Sequence, residues 1–326
     1  MKYFIRRIFF YVIALWTAVT LNFIIPRLAP GNPVQTLVGR SQGRIDPRAI
    51  SALELQFGIN TKIPEWQQYF SYLGDLLHGK LGLSFEYYPT PVSTVIVSHV
   101  FWTMGLIGVA SVLSFVLGTL LGVISAWKQG SVFDRIVPPA LTFLSSIPYF
   151  YLALFFLYFL GFKLGWFPII GAYSFTADTS QFSLSLLFDV LNHAILPALT
   201  IVLVSLAGWM VGMRNAMLNT LSEDYVLMAE AKGLSNWRVM TIYAARNAIL
   251  PNITGFALSL GFVVGGSIIM ESVFSYPGIG FLLFQAVQNS DYPLIQGIFL
   301  VIALSVLAAN FFADIMYLIL DPRVRY

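Results

Sequence analysis

The sequence predicts an all-α integral membrane protein with six transmembrane helices and both termini on the cytoplasmic side. Three observations carry this. Hydrophobic residues make up 58% of the 326-residue chain and charged ones only 10%, with a mean hydropathy of +0.78, far from the balance of a soluble domain. Six stretches are apolar over about 20 residues, the length that crosses a hydrocarbon core of roughly 30 Å. The basic residues of the tails and short connections fall on one side of those stretches.

The first span covers residues 8–28 and follows Lys2, Arg6 and Arg7. That order fits a signal peptide too, but no small-residue cleavage site follows and the run is of full spanning length, so it reads as a retained helix. Residues 29–97 form a large external region. It mixes Trp66, Tyr69, Phe70, Tyr72 and Leu73 with turn residues, and DPRAISALELQFG (46–58) has the pattern of a short amphipathic helix. This region is expected to pack as a cap over the bundle. Spans two to six follow at 99–127, 136–161, 190–213, 252–274 and 294–320, within a core domain of residues 98–326.

With the N-terminus inside, the cytoplasmic side receives Lys2, Arg6, Arg7, Lys128, Arg135, Arg214, Lys232, Arg238, Arg246, Arg323 and Arg325. The two short outer loops then carry Lys163 alone. Gly105, Gly108, Gly118, Gly122, Gly261, Gly265 and Gly266 recur inside the spans, which suits close helix packing in lipid. No strand precedes them and no Lys-Ser/Thr follows, so they do not read as a nucleotide loop. Pro138, Pro139, Pro148 and Pro197 mark kinks or breaks, which line cavities in transport proteins and also occur in inert membrane helices.

Several function classes drop out. The net charge is +3, too small to argue for nucleic acid. The chain has no cysteine and three scattered histidines, His78, His99 and His193, so no local metal-binding pattern exists. No G-x-S-x-G, H-E-x-x-H or Walker A sequence is present, and no acid pair lies within an apolar span. No catalytic residue or metal ligand is assigned.

The exception in this apolar chain is Ser222–Pro251, SEDYVLMAEAKGLSNWRVMTIYAARNAILP, within a predicted cytoplasmic loop of residues 214–250. It holds three acids (Glu223, Asp224, Glu230) and three bases (Lys232, Arg238, Arg246), with Arg214 just upstream. Ser222 is a candidate N-cap for a helix of about three turns, with Glu223 and Asp224 suiting the dipole. Gly233 is a candidate stop. Ser235 then caps a second helix over Asn236–Ile249, and Pro251 opens the fifth span. The residues alone leave two readings: a helix lying on the lipid surface, or one docking into a groove of a soluble partner.

AEAKGLSNWRV followed by AARNAILP resembles the cytoplasmic coupling loop of ABC-transporter permeases, in the form found in the B-type subunit of the dipeptide/oligopeptide/nickel branch. PRLAPGNP (Pro26–Pro33), LHGKLGLSF followed by Pro91-Val92, MESVFSYPGIGFLLFQAV, DYPLIQG and the ending DIMYLILDPRVR are similar to that branch, in the same order. The chain departs from the general pattern in placing Leu227, Met228 and Ala229 where Glu-Ala-Ala stands, in a longer Gly233–Pro251 spacing, and in Lys80 of LHGKLG.

The resemblance implies a permease subunit of a binding-protein-dependent importer in the inner membrane of a prokaryote, not an enzyme. Its implied partners are a second similar permease, two ATP-binding subunits that hold ATP and Mg, an external solute-binding protein and the lipid bilayer, with no cofactor on this chain. Tyr225, Ala229, Glu230, Ala231, Lys232, Gly233 and Leu234 are the implied ATPase-coupling residues. Glu271, Pro148, Tyr149, Gly265 and Gly266 are assigned to the translocation path, although Glu271 also suits a helix-end carboxylate bonded to loop amides. Asn310 and Asp314 are expected to tie helices together. The implied cargo is an oligopeptide or an oligosaccharide. A stand-alone channel or secondary transporter is the alternative; it would call for deep charges or an internal repeat.

Overall fold

The computed structural model describes residues 2–28, 63–178, 181 and 183–320; the helix expected at 46–58 and the DPRVR ending lie outside them. The described residues are almost all helical, with one isolated β-bridge between Leu83 and Pro91 and no strand. In chain order the helices are α1 (Lys2–Leu28), α2 (Glu65–Leu77), α3 (Val92–Trp127), α4 (Val132–Ser146), α5 (Tyr149–Lys163), α6 (Leu184–Leu221), α7 (Asp224–Ala231), α8 (236–248), α9 (Leu250–Val263), α10 (Ile268–Val273), α11 (Ile279–Gln288) and α12 (Tyr292–Leu320). Helices α3, α5 and α8 contain π-helical segments at Met104–Gly108, Leu157–Lys163 and Val239–Ala245.

Among the described residues, three helices are long and apolar enough to cross a membrane unbroken: α3, α6 and, over Tyr292–Phe312, α12. Two expected spans are broken. The third is two helices, α4 and α5, at 94° to each other. The cause is local. Pro148 disfavours helical geometry in the residue before it, and Ile147 is extended at φ −75°, ψ 125°. Pro138, Pro139 and Pro197, by contrast, stay inside α4 and α6 without ending them.

The fifth expected span also stops early. α9 has 14 residues, about 21 Å at 1.5 Å per residue, short of the roughly 30 Å required. Gly266 then turns the chain in the left-handed region at φ +68°, where a side chain is strained.

The bundle centres on α3 and α6. A Cβ on Gly118 would lie 2.6 Å from Trp209 Cβ, and one on Gly122 would lie 2.6 Å from the Met210 carbonyl, so these glycines allow backbone-to-backbone packing in lipid. Gly261 does the same for α9 against α12, 2.6 Å from Ala309 Cβ. Gly105 has nothing within 4 Å, and Gly108 meets only Val263 at 3.7 Å, so those two are not packing glycines. Phe115 of α3 stacks on Phe256 of α9 at 4.3 Å, and Trp209 of α6 meets both edge-on. Asp314 ties α12 to α1, pairing with Arg7 and accepting a 2.6 Å bond from the Tyr11 hydroxyl.

Candidate coupling segment and broken-helix site

Helix α7 is eight residues long, about two turns rather than three. Ser222 does not cap it. That side chain donates back to the Asn219 carbonyl at 2.8 Å, at the end of α6, while Glu223 holds the N-cap position without a side-chain bond. The chain enters α7 within two residues of leaving α6, so Ser222 still belongs to the outgoing turn. The stop is as expected. Gly233 sits at φ +72°, its N–H bonds the Glu230 carbonyl at 2.8 Å, and the Leu234 N–H reaches Ala229 at 3.4 Å. This is the pairing of a glycine-terminated helix end.

One face of α7 is buried and the other is bare. Val226 and Ala229 pack on Val239 of α8, flanked by Trp127, Leu221, Leu234 and Tyr243. Tyr225, Leu227 and Met228 are 40%, 51% and 59% exposed, and Trp237 of α8 is 72% exposed. Glu230, Ala231, Lys232 and Gly233 are exposed as well. The Tyr225 hydroxyl accepts a 3.1 Å bond from Asn247 Nδ2, joining α7 to α8. Ser235 stands at the start of α8 without capping it through its side chain.

Beneath this platform, Met240, Ala244 and Ala248 of α8 pack against Ala126 of α3 and Met213 and Met217 of α6. Only Ile249 separates α8 from α9. The bonds Ile249 N–H to Ala245 at 3.0 Å and Ile253 N–H to Ile249 at 2.9 Å carry helical pairing across the joint.

Arg214 is paired within the chain. Its guanidinium donates to both carboxylate oxygens of Asp134, at 2.6 and 3.0 Å. Asp134 also accepts from Ser125 Oγ at 2.5 Å and the Gly130 amide at 3.0 Å. The bidentate geometry fastens the α3–α4 turn to α6. Sequence reasoning counted Arg214 as a base near the loop and missed Asp134. The available signal was an acid three residues after Ser131, which does accept from the Asp134 N–H at 3.3 Å.

The residues assigned to the path fall at the two breaks, Pro148 and Tyr149 at one and Gly265, Gly266 and Glu271 at the other. Pro148 is exposed at the α4–α5 corner, and half-buried Tyr149 packs on a cluster containing Leu106, Ala153, Leu196, Met270, Phe274 and Tyr276. That cluster joins the α5 break to α10, beyond the Gly265–Gly266 break. Glu271 is fully buried. One oxygen accepts from Thr103 Oγ1 at 2.9 Å; the other accepts from the Gly280 and Phe281 amides at 2.7 and 3.1 Å. The Ile279 N–H in turn donates to Thr103 Oγ1 at 2.7 Å.

A carboxylate at the first amides of a helix suits both the unpaired N–H groups and the dipole. Glu271 therefore holds the start of α11. Glycines make room for it: a Cβ on Gly266 would lie 3.0 Å from Glu271 Oε1, and one on Gly278 would collide with the carboxyl group and with Thr103. Thr103, Gly278 and Gly280 were not singled out from the sequence, because each is ordinary in type and the contact spans 168 positions.

The family described as "binding-protein-dependent transport system inner membrane component" matches residues 118–326, from mid-α3 through α7, α8 and both helix breaks. The chain belongs to that family. It is thus a multi-pass inner-membrane transport component and not an enzyme, like its permease relatives. This inner membrane component is 33% identical to the oligopeptide transport system permease protein AppB of Bacillus subtilis, with 99% of each chain covered. It is 35% identical to the di/tripeptide transport system permease protein DppB of Pseudomonas aeruginosa over 94% of this chain and 93% of that one. It is 32% identical to the dipeptide transport system permease protein DppB of Escherichia coli K12 over 100% and 99%.

Proposed function

We propose that this chain is a permease subunit of an ATP-driven importer of short peptides. It works with a second similar permease, two ATP-binding subunits that hold ATP and Mg, and an external solute-binding protein. The observation that carries the reading is the two-faced α7, which buries Val226 and Ala229 against α8 and presents Tyr225, Leu227 and Met228 outward. A short, firmly stopped helix with an apolar outer face suits a cleft on a partner better than a solvated loop does. Glu230 and Lys232, on the exposed side, supply polar contacts at its rim. Peptides are favoured over oligosaccharides because the relatives named above are permeases for oligopeptides, di/tripeptides and dipeptides.

In this mechanism the ATP-binding subunits close on ATP and push α7. The push passes through α8 to α9 and on to the Gly265–Gly266 break, so that the path opens alternately to either side. A two-state element biased by nucleotide is the physical requirement.

The test is co-expression with candidate ATP-binding subunits, followed by purification, labelled-dipeptide uptake and ATP hydrolysis. Intact chain is expected to bring down an ATP-hydrolysing partner. Leu227→Asp/Met228→Asp is expected to lose that partner while the chain still accumulates in the membrane. If no ATP-binding subunit co-purifies, or the double variant retains it and transports normally, the docking assignment fails. Uptake of oligosaccharide without peptide uptake would overturn the cargo alone.

A further inference from the structure

Helix α2 carries an apolar stripe that it does not bury against the protein. Trp66, Phe70, Leu73 and Leu77 recur at spacings of four, three and four, which places them on one stripe. Trp66, Phe70 and Leu77 are 62%, 64% and 87% exposed, and no residue of α2 is buried. The opposite face, Gln67, Gln68, Ser71 and Asp75, lines a cavity of about 540 Å³ shared with Lys80 and Gln296. On that side Gln67, Ser71 and Asp75 are themselves exposed; half-buried Tyr69 and Tyr72 hold the helix to the bundle, and the apolar stripe faces away from it.

The depth of α2 is set by α1. Tyr69 bonds Thr20 at 2.7 Å and Tyr72 bonds Asn22 at 3.3 Å, with both rings against Phe23 at 5.2 and 5.5 Å. Phe70 meets Tyr69 at 5.9 Å, so a run of rings joins the flank of α1, apolar over Phe9–Ile25, to the exposed stripe. One turn beyond Phe23, the Arg27 guanidinium folds back over the Phe23 ring at 3.5 Å. Its guanidinium also donates to the Phe23 carbonyl at 2.9 Å and to Gln68 Oε1 of α2 at 3.4 Å; an Arg at the end of an apolar helix beside Tyr rings is the composition of the membrane–water interface.

We propose that α2 is an interfacial helix, its Trp66–Phe70–Leu73–Leu77 stripe seated in the headgroup–acyl boundary of the bilayer at the far end of α1. Among its 13 residues the only charges are Glu65 and Asp75. Attraction to anionic lipid therefore contributes nothing, and burial of the stripe supplies the affinity.

The chain has no cysteine, so single nitroxide labels report directly. Trp66→Cys, Phe70→Cys and Leu77→Cys are compared with Gln67→Cys and Ser71→Cys in the full chain in proteoliposomes. Labels at 66, 70 and 77 are expected to collide with oxygen more than with a water-soluble nickel chelate, and those at 67 and 71 to show the reverse. The ratios are expected to be the same in zwitterionic and anionic vesicles. Dominant nickel collisions at 66, 70 and 77 would show the stripe in water. Protection from both reagents would show it covered by protein. Either result overturns the proposal. Wild-type chain photolabelled by a lipid with a reactive group at carbonyl depth serves as a second measurement, with adducts expected at 66, 70 and 77. Adducts confined to 67 and 71 would equally refute it.

Discussion

Glu271 shows how a single carboxylate organises two elements at once. Its two oxygens accept from three fixed donors: the Thr103 hydroxyl and the Gly280 and Phe281 amides. Replacing one oxygen by an amide NH2 would aim a donor at donors. Glu271→Gln is therefore expected to lower thermal stability of the purified chain by about 1–3 kcal/mol, the usual cost of leaving a buried polar group unsatisfied. Thr103→Val should act in the same direction and, sharing the contact, less than additively. A melting curve that is unchanged in both variants would refute the assignment. Asp134 and Arg214 form the other such unit. Removing one partner strands a charge, whereas replacing both by apolar residues need not. Asp134→Ala is thus expected to reduce accumulation in the membrane more than Asp134→Leu/Arg214→Met does, as read by quantitative blotting.

At the scale of elements, the glycines divide into those that set a helix crossing and those that do not. Gly122→Val would drive carbons into the Met210 carbonyl, 2.6 Å from the first added atom. It is expected to abolish folded, detergent-stable protein. Gly105→Ala meets nothing within 4 Å and should leave yield unchanged or slightly raised, since alanine favours helix over glycine by about 1 kcal/mol. Size-exclusion profiles of the two variants check this; equal behaviour would mean that α3 and α6 do not cross at Gly122. Small-residue spacing made Gly118, Gly122 and Gly261 legible as packing positions. The same spacing wrongly included Gly105 and Gly108, because periodicity reports a candidate face and not what stands opposite it. The breaks were half legible. Pro148 interrupts through its own covalent geometry, readable from one residue. Gly266 turns the chain in the left-handed region, and Gly280 and Glu271, up to 14 residues on, leave no room there for a side chain, which no local pattern displays.

Across the whole molecule, helical class and apolar spans were readable because each depends on composition over about 20 residues. The long-range ties, Thr103 to Glu271 and Asp134 to Arg214, were not, because they join positions 168 and 80 residues apart. The same contrast bears on how force would travel through the proposed importer. α7 rests on α8 through Val226, Ala229 and Val239; α8 continues through Ile249 into α9; and α9 ends at the break beside Glu271. The joint at Ile249 is the one residue between α8 and α9, with a backbone bond on either side carrying the pairing across it. Glycine there keeps both bonds but loosens the backbone by about 1 kcal/mol relative to alanine. With the partner subunits assembled, Ile249→Gly is expected to preserve ATP hydrolysis while lowering peptide uptake per ATP consumed, and Ile249→Ala to leave both near wild type. Proportional loss of hydrolysis and uptake in the glycine variant would mean that the push reaches the path by another route, through the α3–α6 platform beneath α8.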